Sequence, residues 1–166
     1  ILSALCALSL AAQEQTVAER PALVVFPFES IACQESLGRK MMEMFHGHAW
    51  RRDAFVVTEL AEMEDLLSDQ TRVTLDTPPA EVARLTRETF QAQVAIWGRL
   101  ERYAPDAYRL SVRILDLRRE NPQEPALSKS YDTTLHGTML AVDQALDEFL
   151  GVPAKTSRDL LADESW

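Results

Sequence analysis

The chain has 166 residues, 46% of them hydrophobic and 26% charged, the composition of one globular domain with room for a proper core. Its formal net charge is −9, so phosphate backbones and anionic lipid surfaces repel it, and nucleic acid is not an expected partner.

Residues 1–11 carry no charge, and polar residues follow at once, up to the first acid, Glu14. An apolar run of this length ending at small residues reads as the remnant of a secretory signal. Ser9 and Ala11 fill the two small positions, and cleavage is expected after Ala11. The competing readings are a buried helix, since the run is too short to span a bilayer, and a lipid-modified Cys6, which the bulky Leu5 before it disfavours. Once Cys6 is removed Cys33 stands alone, so no intrachain disulfide forms and the plainest role of Cys33 is that of a small hydrophobe. The expected location is periplasmic or otherwise exported, with membrane contact only through lipidation or a partner.

Residues 12–21 form a polar lead-in. Ala22-Leu23-Val24-Val25-Phe26 is then a continuous apolar run of β-formers, as in a strand buried on both faces, and Pro27 closes it. From Gln34 to Trp50, Leu37, Met41, Met44, Phe45 and His48 recur at helical spacing, with Arg39, Lys40 and Glu43 opposite. Ala54-Phe55-Val56-Val57 reads as a second buried strand. Thr58 can cap a helix carrying Leu60, Met63 and Leu67 on one stripe, with Glu59 and Glu62 at its positive end. A loop over 68–76 leads to Thr77-Pro78-Pro79, a cap followed by proline at the first helical position, and Val82, Leu85, Thr89 and Phe90 give the buried face of a third helix.

The period then changes from 3.6 to 2. Val94 to Leu100 starts apolar and ends alternating, and Gly98 within it signals a bulge or a close backbone approach. Pro105-Asp106-Ala107 is turn chemistry. Beyond it Tyr108, Leu110, Val112 and Ile114 share one face, against Arg109, Ser111 and Arg113 on the other. A polar loop over 118–125 separates this hairpin from a third strand marked by Leu127, Tyr131 and Leu135. A last helix begins near Thr138, buries Met139, Val142, Leu146 and Phe149, and stops at Gly151 with Pro153 beyond. The expected fold class is α/β (α+β): a mixed sheet of about five strands in the order β-α-β-α-α-β-β-β-α, with helices packed on it. The α/β domain is expected over 22–152 and an acidic tail over 153–166.

Several of these stretches are similar to a known superfamily, which includes the amino-terminal domain of TolB, the curli secretion channel protein (CsgG) and the lipoprotein activators of penicillin-binding proteins (LpoB). Leu23-Val24-Val25-Phe26-Pro27-Phe28-Glu29 resembles its opening strand. Phe55 to Glu59, followed by Met63, Leu66, Leu67 and Gln70, resembles its second strand and helix. Val94 to Leu100 resembles the strand bearing its recurrent glycine, and Tyr108 to Asp116 the strand that ends in its R-x-x-D pattern, here Arg113 and Asp116. The chain departs from the pattern at Thr58-Glu59, where an acid-arginine pair is usual, and over Leu117 to Pro125, where a short Thr-Gly turn is usual. The resemblance covers roughly residues 22–150. It implies a scaffold and partner-binding role in the cell envelope, without catalysis, and transfers no functional residue.

Three clusters bear on chemistry. His46-Gly47-His48 with Glu43 offers metal-type ligands, but residues two apart on a helix point about 200° from each other, so both imidazoles reach one ion only if the helix ends at Gly47. Cys33 with a histidine base is conceivable by inventory, yet no glycine-rich oxyanion loop, nucleophile elbow or P-loop accompanies it. Neither catalytic nor metal residues, nor a cofactor, are therefore expected, and an envelope enzyme using Cys33 or His46/His48 is the least favoured reading. Arg109 and Arg113, with Arg99 on the neighbouring strand, form a basic stripe in an acidic protein. Arginine is enriched at interfaces, so Arg99, Arg109, Arg113 and the adjacent Trp97 are the candidate partner-binding residues. The leading expectation is an envelope interaction or assembly domain that binds a protein partner. The alternative is a small-ligand or glycan-binding module with a groove beside Trp97 and Gly98.

Overall fold

The structure, a computed structural model, describes residues 19–66 and 72–153. The expected signal segment with Cys6, most of the lead-in, Leu67, part of the 68–76 loop and nearly all of the acidic tail lie outside the described residues. The elements are β1 (Ala22–Val25), β2 (Glu29–Ile31), α1 (Ser36–Arg51), β3 (Val56–Val57), α2 (Leu60–Leu66), α3 (Pro79–Glu88), β4 (Val94–Ala104), β5 (Ala107–Asp116), β6 (Leu127–Thr133) and α4 (Thr138–Leu150). They build one mixed sheet in the order β3-β1-β4-β5-β6. β1 runs parallel to β3 and β4, the last three strands form an antiparallel meander, and β2 continues the line of β1 beside β4. The expected α/β architecture is the one observed, with the short β2 as an addition.

Paired residues in neighbouring strands share a face, so the register divides the core in two. Leu23 and Val25 of β1, Val94, Ile96 and Leu100 of β4, and Leu110, Val112 and Ile114 of β5 lie on the face that packs under α1 and α4. Val24, Ala95, Trp97 and Leu115 lie on the opposite face, on the side of α3. In α1, Leu37, Met41, Phe45 and His48 are buried at helical spacing while Arg39, Lys40 and Glu43 are exposed, as the amphipathic pattern requires.

The line β1–β2 contains a bulge. Val25 faces Ile96 and Glu29 faces Arg99, so three residues on this line oppose two on β4. Pro27, which has no N–H to leave unpaired, sits at the exposed centre of the three. The extra residue sends two phenylalanines to opposite faces. Phe26 meets Phe90, just past α3, edge-on with ring centroids 5.5 Å apart, whereas Phe28 stacks on Phe45 of α1 at 5.2 Å. Two glycines admit Phe28. A Cβ on Gly98 would overlap the Ser111 carbonyl and the Phe28 ring, and one on Gly38 would overlap the Phe28 carbonyl. The close approach expected at Gly98 is thus observed, and the bulge lies on the neighbouring strand.

α3 departs from the sequence reading at its start, and α1 takes its cap from a neighbouring strand. α1 has no side-chain cap of its own; the hydroxyl of Ser30, on β2, accepts from the Gly38 N–H at 2.8 Å and serves from outside. Before α3, Pro78 holds the cap position and Pro79 follows it. The Thr77 hydroxyl accepts instead from the Thr74 N–H at 2.9 Å, closing the preceding turn. At the end of α4, Gly151 adopts the left-handed conformation (φ 69°). Its N–H donates to the Glu148 carbonyl and that of Val152 to Asp147, the double bond of a Schellman stop.

Other expectations are corrected. β3 pairs over two residues at the sheet edge and Val56 is 53% exposed, so it is not a buried strand; Phe55 turns inward before it and stacks on Phe149 at 6.1 Å. β6 ends at Thr133, short of Leu135, and Met139 is exposed because Ala141, Val142, Ala145 and Leu146 form the buried stripe of α4.

Candidate interaction surface

Beyond the cover of α3, the second face of the sheet opens across β4, β5 and β6, and the candidate arginines stand there. Trp97 starts this row but does not belong to the surface. It is fully buried, which corrects the expectation that it touches a partner. Its indole N–H has no hydrogen-bond partner among the described residues. Burying a side chain of ~150–250 Å² at ~25 cal/mol per Å² outweighs the ~1–3 kcal/mol of an unpaired donor, so Trp97 is a core residue on energetic grounds. The space beside Gly98 is likewise filled by Phe28, so among the described residues the groove expected there is closed.

The three arginines are each engaged, and the expected basic stripe is a zwitterionic one. Arg99 donates from Nε to Glu29 (3.0 Å) and from Nη2 to Asp76 (3.2 Å). The same oxygen of Glu29 also accepts from the Leu75 N–H (3.1 Å), and Arg113 donates to the Leu75 carbonyl (2.6 Å). Glu29 faces Arg99 only because the bulge turns β2 over, so the same extra residue that places Phe28 also ties the 74–77 turn to the sheet. Burial pulls the Arg99 guanidinium down, and Glu29 and Asp76 more than offset it, leaving the group firmly charged.

Arg109 lies farther out. It holds Asp132 of β6 through both carboxylate oxygens (2.8 and 3.3 Å) and stands 5.5 Å over the Tyr103 ring. The Arg109 hydrogen bonds keep the Asp132 carboxyl below its ordinary range, and Asp132 in turn raises Arg109. Ser111 and Ser130 share a hydrogen bond at 2.9 Å on the same face. Tyr103, Arg109, Ser130 and Asp132 are exposed, so the outer part of the face is polar, aromatic and held in place by its own cross-strand pairs.

A second feature lies at the end of β5. Asp116 is buried, and its carboxylate accepts from the Arg118 backbone N–H (3.0 Å) and twice from the Arg118 guanidinium (2.9 and 2.8 Å). Burial pushes this carboxyl up, but the Arg118 contacts prevail and hold it below the ordinary carboxylate range. Because the folded value is depressed, the interaction contributes stability above the unfolded value and loses it as pH falls through the folded one. Asp116→Asn should therefore cost about 1 kcal/mol at pH 7, discounted because Arg118 is half exposed, and the deficit should shrink as the pH falls below the ordinary carboxylate range. Urea unfolding at pH 7 and pH 3 checks this. The pattern residue Asp116 was legible in the sequence; its partner Arg118, two positions on, was not singled out.

The cysteine and histidines are kept apart. The Cys33 thiol donates to the Leu100 carbonyl at 3.6 Å. α1 continues through Gly47, so the imidazoles diverge: His46 Nε2 lies 3.0 Å from the Thr58 carbonyl, and His48 Nδ1 lies 2.6 Å from Asp143. Asp143 and Asp147 also accept from Arg52 (3.1 and 2.8 Å), which clamps α1 to α4. Among the described residues no cluster of three His, Cys, Asp or Glu could hold a metal ion, and no helix is long and apolar enough to cross a membrane.

No protein-family model matches the chain, and no curated protein matches it by sequence. Solved structures do match it in fold. Lipoprotein GNA1162 from Neisseria meningitidis superposes with a TM-score of 0.54 at 11% identity, over 81% of this chain and 99% of that one. TolB from Acinetobacter baumannii gives 0.54 at 12% identity over 82% of this chain, which spans 30% of TolB. The LpoB C-terminal domain from Escherichia coli gives 0.51 at 12% identity, over 69% and 83%. The resemblance to TolB-like and LpoB-like domains seen in the strand, glycine and R-x-x-D stretches is therefore a likeness of fold.

Proposed function

We propose that residues 22–152 form a single non-catalytic interaction domain of the cell envelope, exported by its apolar leader, that binds a protein partner through the outer face of β4, β5 and β6. The observation that carries this reading is the face that the described residues leave uncovered. It presents Arg109, Tyr103, Asp132 and Ser130 in fixed positions, with Arg99 and Arg113 anchoring its inner border. Rigid arginine and tyrosine side chains already held by neighbours lose little freedom on docking, and such residues are enriched in interface hot spots. The fold shared with GNA1162, TolB and LpoB supports the envelope setting, as does the apolar start of the chain.

A photo-crosslinking residue at Ser130 tests the surface in cells. A discrete protein adduct is expected, and Arg109→Glu should reduce it at least about five-fold, because it sets two carboxylates side by side and reverses the charge shown to the partner. Circular dichroism should show the fold intact. An adduct indifferent to Arg109→Glu, or none at all, removes this face from consideration.

A further inference from the structure

We infer that a groove at the Asp116 end of the sheet binds a small organic anion with an apolar body, with Arg119 as its counter-charge. This site is separate from the arginine-bearing face and adds a ligand to the interaction-domain reading. The groove encloses about 520 Å³, within the ~300–1,000 Å³ usual for small-molecule sites. Its walls come from four distant parts of the chain: Pro21 ahead of β1, Phe55 ahead of β3, the residues ending β5, and Phe149 near the end of α4. Walls drawn from separate elements of a packed sheet keep their spacing, as a preformed site requires.

The lining sets the chemistry of the occupant. Phe55 and Phe149 are stacked, and with Pro21 and Phe55 buried, it is the half-buried Phe149 and Leu150 that offer an apolar body its contact. Charge decides its sign. Asp116 is neutralised by Arg118, and Glu148, the other acid of the groove, is ion-paired with Lys129 and lies 3.5 Å from the Tyr131 hydroxyl. Arg119 gives its backbone N–H to the Asp116 carbonyl at 3.2 Å, and its guanidinium has no carboxylate at ion-pair distance among the described residues. Arg119 is therefore the lining cation without an ion-pair partner among the described residues, though its charge reaches Asp116 and it shares an adjoining hollow with Glu120 and Glu124. A carboxylate matches the planar fork of a guanidinium; a cationic or neutral ligand forgoes that contact.

The test is an NMR titration of the full chain with N-acetylphenylalanine, using its uncharged amide as the control. Saturable shifts are expected at the backbone amides of Phe55, Arg119 and Phe149. Binding of the amide should be weaker by about five-fold or more, and Arg119→Gln should weaken the acid by about ten-fold, with Arg119→Lys recovering part of the loss. Arg119 is exposed, so these variants should fold as the parent does. Equal binding of acid and amide, or an unchanged response in Arg119→Gln, overturns the counter-charge. Shifts confined to the Arg109 and Ser130 face, or no saturable shift, overturn the site.

Discussion

Gly98→Val should cost about 3 kcal/mol or more of folding stability, at the upper end of overpacking effects, because no rotamer choice removes the conflict. Even the Cβ overlaps the Ser111 carbonyl across the β4–β5 ladder and the Phe28 ring above it. The first is backbone inside the longest antiparallel pairing of the sheet, and the second is wedged between that strand and Phe45. Neither can yield without opening the core. Urea denaturation would show the midpoint falling with little change in slope. A loss under about 1 kcal/mol would mean that ring and strand are not in contact as described.

Phe28→Ala should cost about 3–5 kcal/mol, the range for removing a fully packed aromatic side chain. The ring leaves a space bounded by Gly98 and Phe45, and the glycine has no side chain with which to refill it. The cavity term should therefore be close to its maximum. The two sites are coupled. In the Phe28→Ala background Gly98→Ala should be less harmful than in the parent by about 1 kcal/mol or more, since one of its two overlaps is gone while the Ser111 carbonyl remains. Additive costs would refute a shared contact.

Much of the fold was legible because its signals are local. The change from period 3.6 to period 2 near Val94, the alternation from Tyr108 to Ile114 and the stop at Gly151 each reflect neighbours a few residues apart, and all appear where expected. The misreadings share a different cause. Phe26-Pro27-Phe28 gives no local sign that its two aromatic rings part to opposite faces, because that depends on the count of residues along β4. Trp97 looked like an interface aromatic beside arginines; α3, packed over that face from elsewhere in the chain, makes it core. The arginine row was visible in the alternation, but its partners Glu29, Asp76 and Asp132 lie 70, 23 and 23 positions away. No window along the sequence joins them, and so the row read as free positive charge.

The single surplus residue around Pro27 also governs how this segment tolerates changes in length. Deleting it would leave Phe28 opposite Gly98 and Glu29 opposite Arg99, on the faces they already hold. Adding a further residue with the bulge kept would instead shift everything downstream by one place, carrying Phe28 toward α3 and Glu29 into the apolar layer beneath α1. A substitution at Pro27 leaves that parity untouched, so the position should accept many side chains and no insertion.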